Sequence, residues 1–142
     1  MKKYVCFLDY DHWSSLNSLW AVISRRNIIP DSVLILSHGV DTGAFSKNAA
    51  SLISAYGGDA ELKVKTVTSP RTAREAINGL LSEGSIILDI SGARKEIIAG
   101  IFINGINESF DHVFYLSSDV PMDSPYPLLD HVNLCLKDLL ED

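Results

Sequence analysis

The stretch Leu88-Asp89-Ile90-Ser91-Gly92-Ala93-Arg94-Lys95 leaves an apolar run and enters a helical pattern carrying Ile97, Ile98, Ile101 and Phe102. Its residue types suit an anion. Ser91 offers a capping hydroxyl, Gly92 lets backbone come close to a ligand, and the free N–H groups of a first helical turn attract negative charge. Arg94 and Lys95 add cations where the helix dipole favours acids. A purely structural helix start gains nothing from that pair, whereas a phosphate-binding one does. The plainer alternative is a solvated basic turn.

Two further segments hold similar groups. In Asp9-Tyr10-Asp11-His12-Trp13-Ser14-Ser15, Ser14 and Ser15 can cap a following helix and donate to a phosphate, while Trp13 or Tyr10 can stack on a base. Ser14 as a simple N-cap and Trp13 as a core or dimer aromatic are equally open. Asp9, Asp11 and His12 are potential metal donors, but no second donor cluster follows at ligand spacing, so no metal is expected. In Ser37-His38-Gly39-Val40-Asp41-Thr42-Gly43, His38, Gly39 and Thr42 are candidates for the same pocket, and His38 also reads as a loop hydrogen-bonder. Thr68-Ser69 and Ser117-Ser118 are similarly placed, or are no more than caps and turns.

These segments need elements to position them. Apolar runs at Tyr4–Leu8, Val33–Leu36, Leu62–Val67, Ile86–Leu88 and Val113–Leu116 alternate with helical patterns, which is the signature of βαβ units and a parallel sheet. The runs at 33, 86 and 113 are almost wholly apolar, as strands covered on both faces are. The run at 62 alternates with lysines and reads as an edge. Helical spacing joins Leu16, Leu19, Trp20 and Ile23, then Ala49, Leu52, Ile53 and Tyr56, then Ala73, Ile77, Leu80 and Leu81. Gly57-Gly58 closes the second helix and Gly84 the third, which Ser69-Pro70 opens. After Pro125 and Pro127 a final helix is expected, carrying Leu128, Leu129, Val132, Leu136, Leu139 and Leu140. The expectation is one α/β domain over residues 1–142, a three-layer Rossmann-like fold with a mostly parallel central sheet. Ligands of such sheets bind beyond the carboxyl ends of the strands, where the segments above lie.

Composition narrows the function classes. The 142 residues carry a formal charge of −6, with 46% hydrophobic and 21% charged residues. That balance is ordinary for a globular domain and opposes a broad basic face for DNA or RNA. A polyanion remains compatible with a small, locally positive pocket. No apolar run is long enough to span a membrane and no signal segment opens the chain, so a cytoplasmic protein is expected. Cys6 and Cys135 read as small core residues rather than a disulfide. A phosphate-binding P-loop, a dinucleotide fingerprint after the first strand and a nucleophile elbow are all absent.

The segment Asp89-Ile90-Ser91-Gly92-Ala93-Arg94-Lys95 resembles the motif that follows the fourth strand in CRISPR-associated Rossmann fold (CARF) domains, with Ala93 where a second glycine is commoner. The resemblance extends to element order over nearly the whole chain. It implies a homodimer that binds a cyclic oligoadenylate across its two-fold axis, with cyclic tetra-adenylate the expected ring. No cofactor and no DNA partner are implied. The first loop corresponds to the second ligand-contacting region by position. Many relatives continue into a nuclease or a DNA-binding domain, for which 142 residues leave no room. A standalone member that opens the ring is therefore expected, a ring nuclease in which the ribose 2′-hydroxyl attacks its own 3′-phosphate without a metal. Lys95 would stabilise the developing charge and Ser14 would position the phosphate, with Asp9, Trp13, Ser15, His38, Gly39, Thr42, Ser91, Gly92, Ala93 and Arg94 around the ligand. The alternative is a sensor that binds the ring intact and acts on a separate partner.

Overall fold

The computed structural model describes residues 1–10, 12–80, 84–103, 110–118 and 134–141. In chain order the elements are β1 (Lys2–Leu8), α1 (His12–Arg26), β2 (Ser32–Ser37), α2 (Gly43–Ala55), β3 (Glu61–Thr66), α3 (Pro70–Asn78), β4 (Ser85–Asp89), α4 (Lys95–Phe102), β5 (His112–Ser118) and β6 (Leu134–Asp138). They form a six-stranded sheet in the order β3-β2-β1-β4-β5-β6, parallel except for the β5–β6 pair. The order reverses between β1 and β4, so their carboxyl ends form the topological switch point of a Rossmann-like sheet.

The two-residue period of the strands divides the core into two layers. Tyr4, Cys6, Leu8, Val33 and Ile35 pack against α1 and α2 through Leu16, Leu19, Ile23, Phe45 and Ile53. Val5, Phe7, Leu34, Leu36, Ile86 and Leu88 pack against α3 and α4 through Ala73, Ile77, Ile97 and Ile101. Strand β3 is exposed along most of its length, as its lysine alternation predicts for an edge. Ser69 caps α3 with Pro70 at its first turn, and a reciprocal bond runs from Ser69 N–H to Thr72 Oγ1 at 3.1 Å. Helix α3 ends at Gly79, not at Gly84; Gly84 instead turns into β4 at φ +123°.

The expected last helix is partly replaced by strand. Residues 134–138 pair antiparallel with β5, because Cys135 and Lys137 face out while Leu136 packs on the core and Asp138 is buried. That two-residue period, not a helical one, governs the segment. Leu139 and Leu140 follow in an exposed turn. Leu128, Leu129, Val132, Pro125 and Pro127 lie outside the described residues, as does Leu81. The same strand overturns one cysteine assignment: Cys6 is buried, whereas Cys135 is exposed. No helix among the described residues is long and apolar enough to cross a membrane.

Candidate functional site at the strand carboxyl ends

Pairing of β1 with β4 stops at Val5 and Leu88, so Phe7 and Leu8 run on beside the loop that leaves β4. That loop is fastened from beneath. The Tyr4 hydroxyl donates to Asp89 Oδ2, and Ser91 N–H donates to Asp89 Oδ1 at 2.9 Å. Ser91 Oγ donates to Ser18 Oγ at 3.1 Å and accepts from Leu116 N–H at 2.9 Å, tying the loop to α1 and β5. Asp89 is almost fully buried, and burial pushes its carboxyl above the ordinary value despite the hydrogen bonds from Ser91, Tyr4 and Ser18.

Gly92 has a different task from the one the sequence suggests. A Cβ there would lie 2.2 Å from Ser15 Oγ and 2.4 Å from the Phe7 carbonyl oxygen, so the missing side chain admits the protein's own β1 and α1. Ser15 is likewise internal, its hydroxyl buried and donating to Phe7 O at 2.7 Å. Ser91 does not cap α4 either. The N-cap is Arg94, extended at φ −71° and ψ 149° with no capping side chain, and Glu96 supplies an acid in the first turn. The loop thus turns Asp89, Ser91 and Gly92 inward and carries Arg94 and Lys95 out to an exposed rim.

Above it lies a cleft of about 210 Å³ lined by Asp9, Tyr10, Ser14, Ser91, Gly92 and Ala93. Six of the sequence candidates, Asp9, Tyr10, Ser14, Ser91, Gly92 and Ala93, therefore meet at one place. Arg94 stands at its edge, with Nε donating to Asp9 Oδ2 at 2.7 Å and Nη2 to Asp9 Oδ1 at 3.2 Å. The Arg94 bond is the main reason the Asp9 carboxyl sits below its usual range. Tyr10 is 87% exposed, while Trp13 packs partly buried on the α1–α2 layer with its ring 4.2 Å from that of His12. Of the two aromatic candidates, Tyr10 lines the cleft.

The second loop stands beside this cleft rather than in its lining. His38 N–H donates to Leu8 O at 3.0 Å, and its ring stacks on Phe7 at 6.2 Å between centroids. Its Nε2 is buried without a hydrogen-bond partner among the described residues. Burial, then the nearby Arg94 charge, holds the imidazole below its ordinary value and neutral at pH 7. Gly39 is exposed at φ +87°, a backbone conformation that favours glycine. Thr42 occupies the N-cap of α2 without a side-chain bond, and Asp41 Oδ1 accepts from Gly43 N–H at 2.9 Å instead. Phe45, in the first turn of α2, is buried in the core.

Sequence reasoning placed Ser15 at the ligand and missed the buried layer to which it belongs with Asn17 and Ser18. Ser15, Asn17 and Ser18 are all buried polar residues of α1. Their signal was available: Ser15 and Ser18 fall three apart on the face that also carries Leu19 and Val22, where small hydroxyls on an apolar stripe announce internal hydrogen bonds.

Two features elsewhere invite comparison. A larger hollow of about 380 Å³ opens at the amino ends of the strands, lined by Lys3, Lys63, Lys65, Glu61 and Leu80 among others. It lies along the uncovered edge strand and away from the switch point, where the convergent polar groups are. His112, Asp138 and Glu141 bring donor atoms within 4.8 Å of one another. Asp138 already accepts from Val113 and Leu140 N–H groups, and Glu141 pairs with Arg26 at 3.2 Å. The arrangement fastens β6 to β5. Asp11 of the Asp9-Asp11-His12 trio lies outside the described residues, and Asp9 is held by Arg94.

No protein-family model and no curated protein sequence matches the chain. Solved structures do. Can2 from Sulfobacillus thermosulfidooxidans in complex with cyclic tetra-adenylate (cA4) is similar at a TM-score of 0.60 and 18% identity, over 81% of this chain and 32% of that one. Enterococcus italicus Csm6 bound to cyclic hexa-2′-fluoro-hexa-dAMP is similar at a TM-score of 0.56 and 15% identity, over 92% of this chain and 36% of that one. The chain spans about a third of the length of each. Sheet order, helix placement and these likenesses give the chain a three-layer, Rossmann-like fold with a mostly parallel central sheet, shared with those structures.

Proposed function

We propose that residues 1–142 form one domain of a cytoplasmic homodimer that binds a cyclic oligoadenylate, with cyclic tetra-adenylate the first ring to test. The carrying observation is the strand-end cleft, which Ser14 and Tyr10 line and at whose edge Arg94 stands, with Lys95 next in sequence and exposed at the start of α4. Cations at the rim suit phosphates, a solvent-facing tyrosine suits an adenine, and a ring with rotational symmetry suits a site doubled by a dyad. The likeness to folds solved with cyclic oligoadenylates supports the same ligand class.

The domain further cleaves the ring. A ribose 2′-hydroxyl loses its proton to solvent or a nearby base, attacks its own 3′-phosphate and displaces the 5′-oxygen, which takes up a proton. The product is a linear chain with a 2′,3′-cyclic phosphate, and no water is consumed. Holding the sugar in line and stabilising the developing charge are the protein's contributions. Lys95 does the second and Ser14 the first, with Arg94 holding phosphate. Incubating the pure protein with cyclic tri-, tetra- and hexa-adenylate and resolving products by chromatography tests this. Cleavage that survives chelation by EDTA is expected. A ring that binds and returns intact selects the sensor reading, which one observation favours: Arg94 is already engaged by Asp9. Absence of binding to any ring removes both.

A further inference from the structure

The Asp9–Arg94 pair sits where an incoming phosphate would need the guanidinium. Both oxygens of the Asp9 carboxylate are used, and the Nε–Nη2 edge that they occupy is the fork with which arginine grips oxyanions. Asp9 also lines the cleft, so the pair is met where a ligand enters. Glu96 acts on the Arg94 charge beside Asp9, so the guanidinium stands against two carboxylates. The pair is partly open to water, with side-chain exposures of 43% for Arg94 and 24% for Asp9. Exposed ion pairs are weak and hence exchangeable.

We propose that Asp9 is an internal competitor for Arg94: ligand binding at this cleft is an exchange in which a phosphate displaces the Asp9 carboxylate, and Asp9 thereby sets the affinity threshold of the site. This deepens the binding reading above and rests on it for the identity of the phosphate. A ligand with several phosphates overcomes the exchange at each copy of the site, whereas a weakly bound monoanion does not. Asp9 acts on the ligand through Arg94, so it is a specificity residue and not a catalytic one.

The test is a double-mutant cycle read by calorimetry, with cyclic tetra-adenylate and inorganic pyrophosphate as separate probes. Asp9→Asn should bind each probe about twofold to fivefold tighter than wild type, the range of an exposed ion pair. Arg94→Ala should bind more weakly, and adding Asp9→Asn to Arg94→Ala should change nothing further. In the ligand-free protein, the Arg94 Nε–H resonance should be protected from solvent exchange, and Asp9→Asn should abolish that protection. Unchanged or weaker binding of both probes by Asp9→Asn overturns the proposal, since Asp9 would then be idle or would support the ligand directly. The two readings fail separately. If Asp9→Asn tightens pyrophosphate while no variant binds the ring, the exchange stands and the ring assignment falls. If wild type binds the ring and Asp9→Asn does not bind it more tightly, the ring assignment stands and the exchange falls.

Discussion

Opposite ends of the sheet each carry an aspartate paired with a basic side chain, and the two pairs serve different ends. At the carboxyl ends, Asp9 and Arg94 share a two-pronged bond between partly exposed side chains. At the foot, His112 Nδ1 lies 2.6 Å from Asp138 Oδ2, and the Asp138 side chain is 1% exposed. Asp138 also accepts from the backbone of Val113 and Leu140, so it closes a network that holds β6 on β5. Water can replace either partner of the upper pair but not the buried one of the lower pair. Burial, more than distance, thus separates an exchangeable contact from a structural one.

The largest expected effect breaks the lower pair. Asp138→Ala leaves the Val113 N–H without its buried acceptor and frees β6, and should cost about 3 kcal/mol in denaturant unfolding. A loss under about 1 kcal/mol would mean that the foot is as exchangeable as the rim. Next comes Gly92→Ala, which drives a methyl group into Ser15 Oγ and Phe7 O and should cost about 1–3 kcal/mol. Stability equal to wild type would show that Gly92 serves the ligand rather than the packing.

Acid titration sharpens the comparison. Burial pushes the Asp138 carboxyl up, but the His112 imidazole and the Leu140 and Val113 N–H groups more than offset it, and the net value is lowered. Asp9 is lowered too, chiefly by Arg94. Lowered carboxyls contribute stability that is present above the unfolded value, about 3.9, and is lost as pH falls through the folded one. Asp89 has the opposite sign: its raised value favours the folded state at low pH, and that contribution fades as pH rises. Because solvent screens the exposed upper pair, Asp138→Asn should flatten the acid limb of the stability curve below about pH 4 more than Asp9→Asn does. Asp89→Asn should remove the decline on the other side of that range. Denaturant midpoints at a series of pH values read all three, and equal flattening by the two lowered carboxyls would erase the proposed difference.

The smallest effect on folding is expected at the rim itself. Lys95→Ala should leave stability within about 0.5 kcal/mol of wild type, because Lys95 is exposed at the start of α4. Ring affinity should nevertheless fall at least about tenfold, in line with charge-assisted phosphate contacts. Calorimetry finding full affinity in the folded variant would remove Lys95 from the site.

Much of this architecture is legible in order along the chain because its causes are local. Uninterrupted apolar runs mark β2 and β4 as covered strands, the lysines of β3 mark an edge, and Ser69-Pro70 starts a helix whatever it packs on; the run of β5 reads as covered too, but its Tyr115 is exposed. Where the strands end, the reactive segments begin, and a parallel sheet gathers them at one side. Asp9, Ser14 and the Ser91–Ala93 segment are found together for that reason.

What the tertiary structure decided depends on partners distant in sequence. Residues 134–138 become strand because β5 offers an open edge with matching two-residue period, and an apolar run near prolines does not reveal that edge. Ser15 and Gly92 turn inward because both pack on the end of β1 and on each other, and Cys135 turns outward because β6 presents it so. Asp9 and Arg94, 85 residues apart, meet only because the sheet order sets β1 beside β4. Periodicity reports which face of an element is buried, and it carries no information on which element will cover that face. The motif therefore named the cations from sequence, while the carboxylate that occupies one of them was assigned by the fold.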